Sequence, residues 1–133
     1  MRISVVTLFP EFMLAASSIG VVGRAQERGL LEVASFNPRD YATDNYRTVD
    51  DRPFGGGPGM VMKIEPLARA IDAAKAAGSA PARTIYLSPQ GEPLNQRRVE
   101  QLGSEPHLVL LAGRYEGVDE RLSESHVDEE LSI

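Results

Sequence analysis

Two short turns in this chain carry residue types suited to gripping a flat, polar ligand: Ser88-Pro89-Gln90-Gly91 and Gly113-Arg114-Tyr115-Glu116-Gly117. Glycine lets backbone approach a ligand closely and takes positive φ without penalty. Proline fixes the chain and leaves neighbouring N–H and C=O groups facing outward. Each turn follows a stretch that reads as a strand, residues 83–87 and 107–112. In an open parallel sheet, ligands bind beyond the carboxyl ends of the strands, so the two turns are candidates for one site. The same pattern is equally compatible with two ordinary strand-to-helix turns.

A third segment, Asp50-Asp51-Arg52-Pro53-Phe54-Gly55-Gly56-Gly57-Pro58-Gly59-Met60, has the glycine density of a phosphate loop but not its chemistry. No Lys-Ser/Thr pair follows the glycines, and Met60 stands where a dinucleotide fingerprint needs its third glycine. A nucleotide hydrolase is therefore disfavoured. A Gly-rich lid over a substrate and a flexible linker remain as readings. Asp50 and Asp51 could orient an arginine or hold a metal, or form a solvated acidic pair. The later carboxylates Asp119, Glu120, Asp128, Glu129 and Glu130 lack the spacing of a calcium loop.

These motifs sit on a chain of 133 residues with 42% hydrophobic and 25% charged residues, which is globular in composition. With no cysteine and two histidines, disulfides and thiolate metal sites are excluded and a zinc site is disfavoured, so no metal site is assigned. No apolar run approaches the ~20 residues of a membrane span, and the expected compartment is the cytoplasm. The net charge is −5. It is concentrated after residue 100, which argues against non-specific nucleic-acid binding by the whole chain. Arg24, Arg28, Arg39, Arg47 and Arg52 could still form a local basic patch, or simply a solvated face.

Strand patterns at residues 2–8, 30–36, 83–87, 107–112 and 127–133 alternate with helical patterns at 11–16, 24–28, 66–78, 94–102 and 118–123. Residues 37–59 have no period; aperiodic stretches of that length are often functional. Alternation of this kind predicts an α/β fold, a mainly parallel sheet with helices on both faces. Residue 133 falls in the last strand pattern, with no turn or cap after it. The expectation is that 1–133 is the N-terminal part of a longer domain.

Taken together, the motifs resemble the bacterial tRNA (guanine-N1)-methyltransferases, a SPOUT-class family. The resemblance runs through Thr7-Leu8-Phe9-Pro10-Glu11, Asn37-Pro38-Arg39-Asp40, residues 47–60, Tyr86-Leu87-Ser88-Pro89-Gln90-Gly91 and residues 113–121, and so covers the chain in order. The segment 47–60 is its most specific part.

The resemblance implies transfer of a methyl group from S-adenosylmethionine to N1 of the guanine just 3′ of a tRNA anticodon, by a homodimer. It implies a trefoil-knot fold, truncated here before the knot closes, with the C-terminal tRNA-binding domain absent. Carried over residue by residue, Tyr86, Leu87, Ser88, Pro89, Gly113, Tyr115, Glu116, Gly117, Ser132 and Ile133 would line the cofactor pocket. Gly59, Arg52 and Asp50 would lie toward the substrate. The principal base, an aspartate, and its partner arginine would lie beyond Ile133. Glu116 would assist, beside a magnesium ion that the family uses.

Tyr46 stands where the family often has histidine, which puts a direct role for that side chain in doubt. The resemblance leads to a further expectation: residues 1–133 alone bind the cofactor weakly and transfer no methyl group. The alternative is a non-catalytic piece that keeps part of the cofactor site or the dimer surface. Exposed sheet edge and apolar surface would make the isolated piece associate, which a single monomeric sedimentation peak would contradict.

Overall fold

The computed structural model describes residues 1–53, 55–115 and 117–133. In chain order the elements are β1 (Arg2–Val6), α1 (Pro10–Ser17), α2 (Gly20–Glu27), β2 (Glu32–Phe36), a 3-10 turn (Pro38–Tyr41), β3 (Asp50–Asp51) and β4 (Val61–Met62). They continue with α3 (Ile64–Ala76), β5 (Arg83–Pro93), α4 (Gln96–Gly103), β6 (His107–Ala112), α5 (Glu120–His126) and β7 (Glu129–Ser132). Five strands form one sheet in the order β2-β1-β6-β5-β7, every pair parallel. The expected α/β architecture is present.

Alternation along the strands divides the core between the two faces of the sheet. Val109 and Leu111 of β6 join Val6 with Leu67, Ile71 and Ala74 of α3 and Leu122 of α5. Leu108 and Ile85 point the other way and pack with Leu131 and with Leu102 of α4. Strands buried on both faces must be apolar at successive positions, which is why β6 reads His-Leu-Val-Leu-Leu-Ala.

Helix starts follow local chemistry. Asn95 caps α4 by accepting the Arg98 N–H at 2.9 Å, and Asp119 caps α5 by accepting that of Arg121 at 3.0 Å. Pro66 sits in the first turn of α3, where its missing N–H costs nothing.

Three element readings change. Gly23 lies inside α2 instead of ahead of it. A Cβ there would fall 2.3 Å from the Ser18 carbonyl oxygen, so this glycine serves close packing and does not break the helix. Residues 37–59 contain the 3-10 turn and β3, which pairs antiparallel with β4. Residues 88–91 are not a strand-to-helix turn, because β5 continues through them to Pro93 and α4 starts only at Gln96.

Candidate functional site

Leu87 and Ala112 are partners in the β5–β6 ladder. The segments beginning at Ser88 and Gly113 therefore diverge from the same carboxyl edge of the sheet. Between them lies a cleft of about 360 Å³, within the size range of small-ligand sites. Tyr86, Leu87, Ser88 and Pro89 form one wall, and Gly113, Arg114, Tyr115 and Gly117 form the other. Glu120 and Ser123 of α5 and Glu130 of β7 close it.

The first wall is a bulge. Leu87 and Glu92 both register with Leu131 of β7, so residues 88–91 are pushed out of the ladder. Gly91 is required where the bulge returns. A Cβ would stand 2.6 Å from the Glu130 carbonyl carbon and from the Leu131 nitrogen. Buried Ser88 stiffens the bulge, its Oγ accepting the Gln90 N–H at 3.2 Å.

Beneath it, β7 is tied down by Glu129, which bonds Arg83 at 3.0 Å and also pairs with Arg98 of α4. Burial alone would raise the Glu129 carboxyl, but the Arg98 and Arg83 hydrogen bonds outweigh it and hold it below the usual range.

The second wall depends on a missing side chain and a strained one. A Cβ on Gly113 would lie 3.3 Å from Tyr86 Cε1 and 3.5 Å from Val118 Cγ2, so glycine lets the two walls meet. Burial, and next the Glu130 carboxylate, push the Tyr86 phenol up, which keeps it neutral at the cleft wall. Tyr115 has φ = 61°, a conformation costing on the order of 1 kcal/mol or more for a bulky residue. The Arg114 guanidinium lies 5.3 Å from the centre of the Phe9 ring, near enough for a cation–π contact.

Of the residues expected at a cofactor pocket, Tyr86, Leu87, Ser88, Pro89, Gly113, Tyr115 and Gly117 come together here. Ser132 and Ile133 do not line the cleft. The Ser132 carbonyl accepts the Leu94 N–H at 2.8 Å, and Ile133 is exposed. Glu116 lies outside the described residues.

Gln90, Arg114, Val118, Glu120, Ser123 and Glu130 were missed as wall residues. Gln90, Arg114, Val118 and Glu120 stand inside the quoted motifs, which was the available signal. Glu130 had none, because its place depends on how β7 registers against β5.

The residues expected to face a substrate lie across the 118–121 segment from this cleft. Asp50 pairs with Met62 in the β3–β4 hairpin. Arg52 lines a small hollow of about 180 Å³ with Asp51, Lys63, Asp119 and Arg121. Gly59 is at the exposed hairpin tip with φ = 80°. The Arg121 guanidinium, 2.8 Å from Asp119 Oδ2, holds the Asp119 carboxyl below the usual carboxylate range.

A larger cleft of about 660 Å³ opens at the opposite, amino edge, between Met1, Arg2, Glu32, the end of α3 and His107. Its guanidinium is already engaged, Arg2 bonding Glu32 at 2.7 Å, and it lies away from the carboxyl edge where open parallel sheets bind ligands. The smaller cleft is the candidate site. Among the described residues no three histidine or acidic side chains converge as a metal site, and no helix is long and apolar enough to cross a membrane.

Known proteins with this architecture match in both sequence and shape. A family model described as tRNA (Guanine-1)-methyltransferase TrmD matches residues 1–133. A tRNA (guanine-N(1)-)-methyltransferase of Xanthomonas campestris pv. campestris (strain B100) is 63% identical over 133 residues, covering 100% of this chain and 53% of the relative. Its counterpart from Halorhodospira halophila is 61% identical over 132 residues, covering 99% and 50%. The crystal structure of a tRNA (m1G37) methyltransferase from Aquifex aeolicus superposes with a TM-score of 0.89 at 37% identity, over 100% of this chain and 59% of that one. The chain thus spans about half the length of the curated relatives it matches.

Proposed function

This chain belongs to the tRNA (guanine-1)-methyltransferase family, and from that premise we propose that it supplies cofactor-binding walls of an S-adenosylmethionine-dependent enzyme that methylates N1 of the guanine 3′-adjacent to a tRNA anticodon. The observation that carries the proposal is the meeting of residues 86–90 with Gly113, Arg114, Tyr115 and Gly117 around one cleft at the carboxyl edge of the sheet.

The walls suit this cofactor. The glycine at 113 leaves room beside Tyr86, and backbone groups of the bulge and of the second loop would hold the adenosine without any phosphate cradle. Among the described lining residues the carboxylates Glu120 and Glu130 outnumber the one guanidinium, Arg114, which favours a cationic ligand. When bound, S-adenosylmethionine supplies an already activated methyl group. The chain's task is then to fix the geometry and exclude water, effects that can supply much of such a rate enhancement.

Guanine N1 carries a proton and needs a general base. The family resemblance assigns that role to an aspartate beyond residue 133, with Glu116 assisting. Gly59, Arg52 and Asp50 are proposed to approach the tRNA from the hairpin, in the cytoplasm.

Apolar side chains on α1 and α2 support the homodimer. Phe12, Leu14, Ile19 and Val21 are each at least 70% exposed, an unusual concentration for a monomer surface. We place the subunit contact there.

Replacing the matching half of the Xanthomonas relative with residues 1–133 of this chain tests both statements. The chimaera should methylate N1 of guanine in tRNA and sediment as a dimer. A chimaera that folds but does not bind S-adenosylmethionine would refute the cofactor reading. A folded, monomeric one would refute the α1–α2 contact. Residues 1–133 alone should transfer no methyl group, and measurable transfer would show that the principal base lies within them.

A further inference from the structure

Among the described residues, Met62 of the hairpin hydrogen-bonds the second wall of the cleft from outside. Met62 is fully buried and makes three bonds to that segment. Its backbone N–H donates to the Gly117 carbonyl at 2.9 Å, and its carbonyl accepts the Asp119 N–H at 3.3 Å. Its thioether Sδ lies 3.3 Å from the Arg114 nitrogen and accepts that N–H. On its other side, Met62 pairs with Asp50.

These three bonds bracket Tyr115, whose left-handed backbone persists only if its surroundings over-determine it. A thioether is a weak acceptor, and neither leucine nor isoleucine would provide one at all. The residue type therefore matters beyond its volume.

We infer that Met62 is a positioning residue: it fixes Arg114, Tyr115 and Gly117 in their ligand-ready shape and joins them to the β3–β4 hairpin, so that the two move as one unit. What the loop is for rests on the cofactor reading above; its anchoring does not. The Gly-rich tip, residues 55–59, links β3 to β4. A substrate that displaces the tip would act on the cofactor wall through this residue.

Amide hydrogen exchange on the 133-residue chain, with no methyl donor present, tests this. Met62→Leu keeps the volume and the backbone bonds but removes the sulfur. The Arg114 amide should then exchange about three- to tenfold faster, the effect of losing one modest hydrogen bond. The same loss lowers the stability of the folded chain as a whole, so the Val109 and Leu111 amides should accelerate by no more than that factor.

Should the leucine variant fail to fold, replacing all four methionines with norleucine removes only sulfur and should give the same local change. Selenomethionine, which retains an acceptor, should restore protection. An unchanged Arg114 amide, greater acceleration at Val109 and Leu111 than at Arg114, or the same acceleration with selenomethionine as with norleucine overturns the inference whether or not the chimaera proves active.

Discussion

In the sheet, β1 meets β2 and β6 over five registered pairs each, and Val6, Ile85, Val109 and Leu111 are wholly buried. In the hairpin, β3 and β4 share two pairs, and of its described residues Val49 and Met62 reach the core. The cleft lies between these regions and takes one wall from a bulge rooted in the sheet. Its other wall leaves β6 and is clipped to the hairpin. A rigid wall facing an adjustable one suits a site that must hold a cofactor constantly and admit a large substrate intermittently. Substitutions of similar size should therefore have very different effects in the two regions.

The largest effect is expected at Gly91. A methyl group there would press on the β7 backbone from 2.6 Å, and backbone cannot swing aside as a side chain can. Gly91→Ala should cost about 3 kcal/mol, near the top of the range for overpacking, and should detach β7. Urea unfolding followed by circular dichroism checks this. A loss below about 1 kcal/mol would mean that the bulge relaxes easily, and that the wall is less rigid than the comparison holds.

That contrast also accounts for what the sequence disclosed. Strand β6 was legible because burial on both faces leaves a continuous apolar run, and α3 because Leu67, Ala70, Ile71 and Ala74 recur at helical spacing. The turns of both cleft walls stood out by their glycine and proline, but their residues were assigned to a pocket only through the family resemblance. The bulge at residues 88–91 was not, because it exists only through the register of β5 against a strand about forty residues away. Nor was β4, two residues long and defined by its partners at 50–51 and 117–119. Met62 carries no motif; its role comes entirely from contacts distant in sequence.

A smaller effect is expected from His107, which sits in the sheet at the amino end of β6. It is 1% exposed, with Nε2 2.9 Å from Ser4 Oγ. Burial pushes its imidazole below the ordinary value of 6.5, and Arg2 adds to that; the Ala80 backbone and Glu32 oppose it without restoring it. The unfolded chain therefore takes up this proton at a higher pH than the folded one does. Stability present at pH 7 should begin to fall as pH drops through 6.5, and should stop falling from this cause below the folded-state value. His107→Gln should flatten the dependence of the urea midpoint between pH 7 and pH 5. An equally steep dependence in the variant would assign it to other groups.

The smallest effect is expected at the hairpin tip, and it sharpens the comparison most directly. Gly57 is exposed, and among the described residues a Cβ there would meet only Pro53 carbons at 3.8 Å and beyond. Its φ lies outside the left-handed region that Gly55, Gly56 and Gly59 occupy. Gly57→Ala should therefore change stability by no more than about 0.5 kcal/mol, or raise it slightly by restricting the unfolded chain. The chemical substitution is the one made at Gly91, one methyl group for one hydrogen. Only the surroundings differ: the β7 backbone at Gly91, open solvent at Gly57. If Gly57→Ala instead cost as much as Gly91→Ala, the tip would be packed as firmly as the sheet, and the proposed division between a fixed wall and an adjustable one would fail.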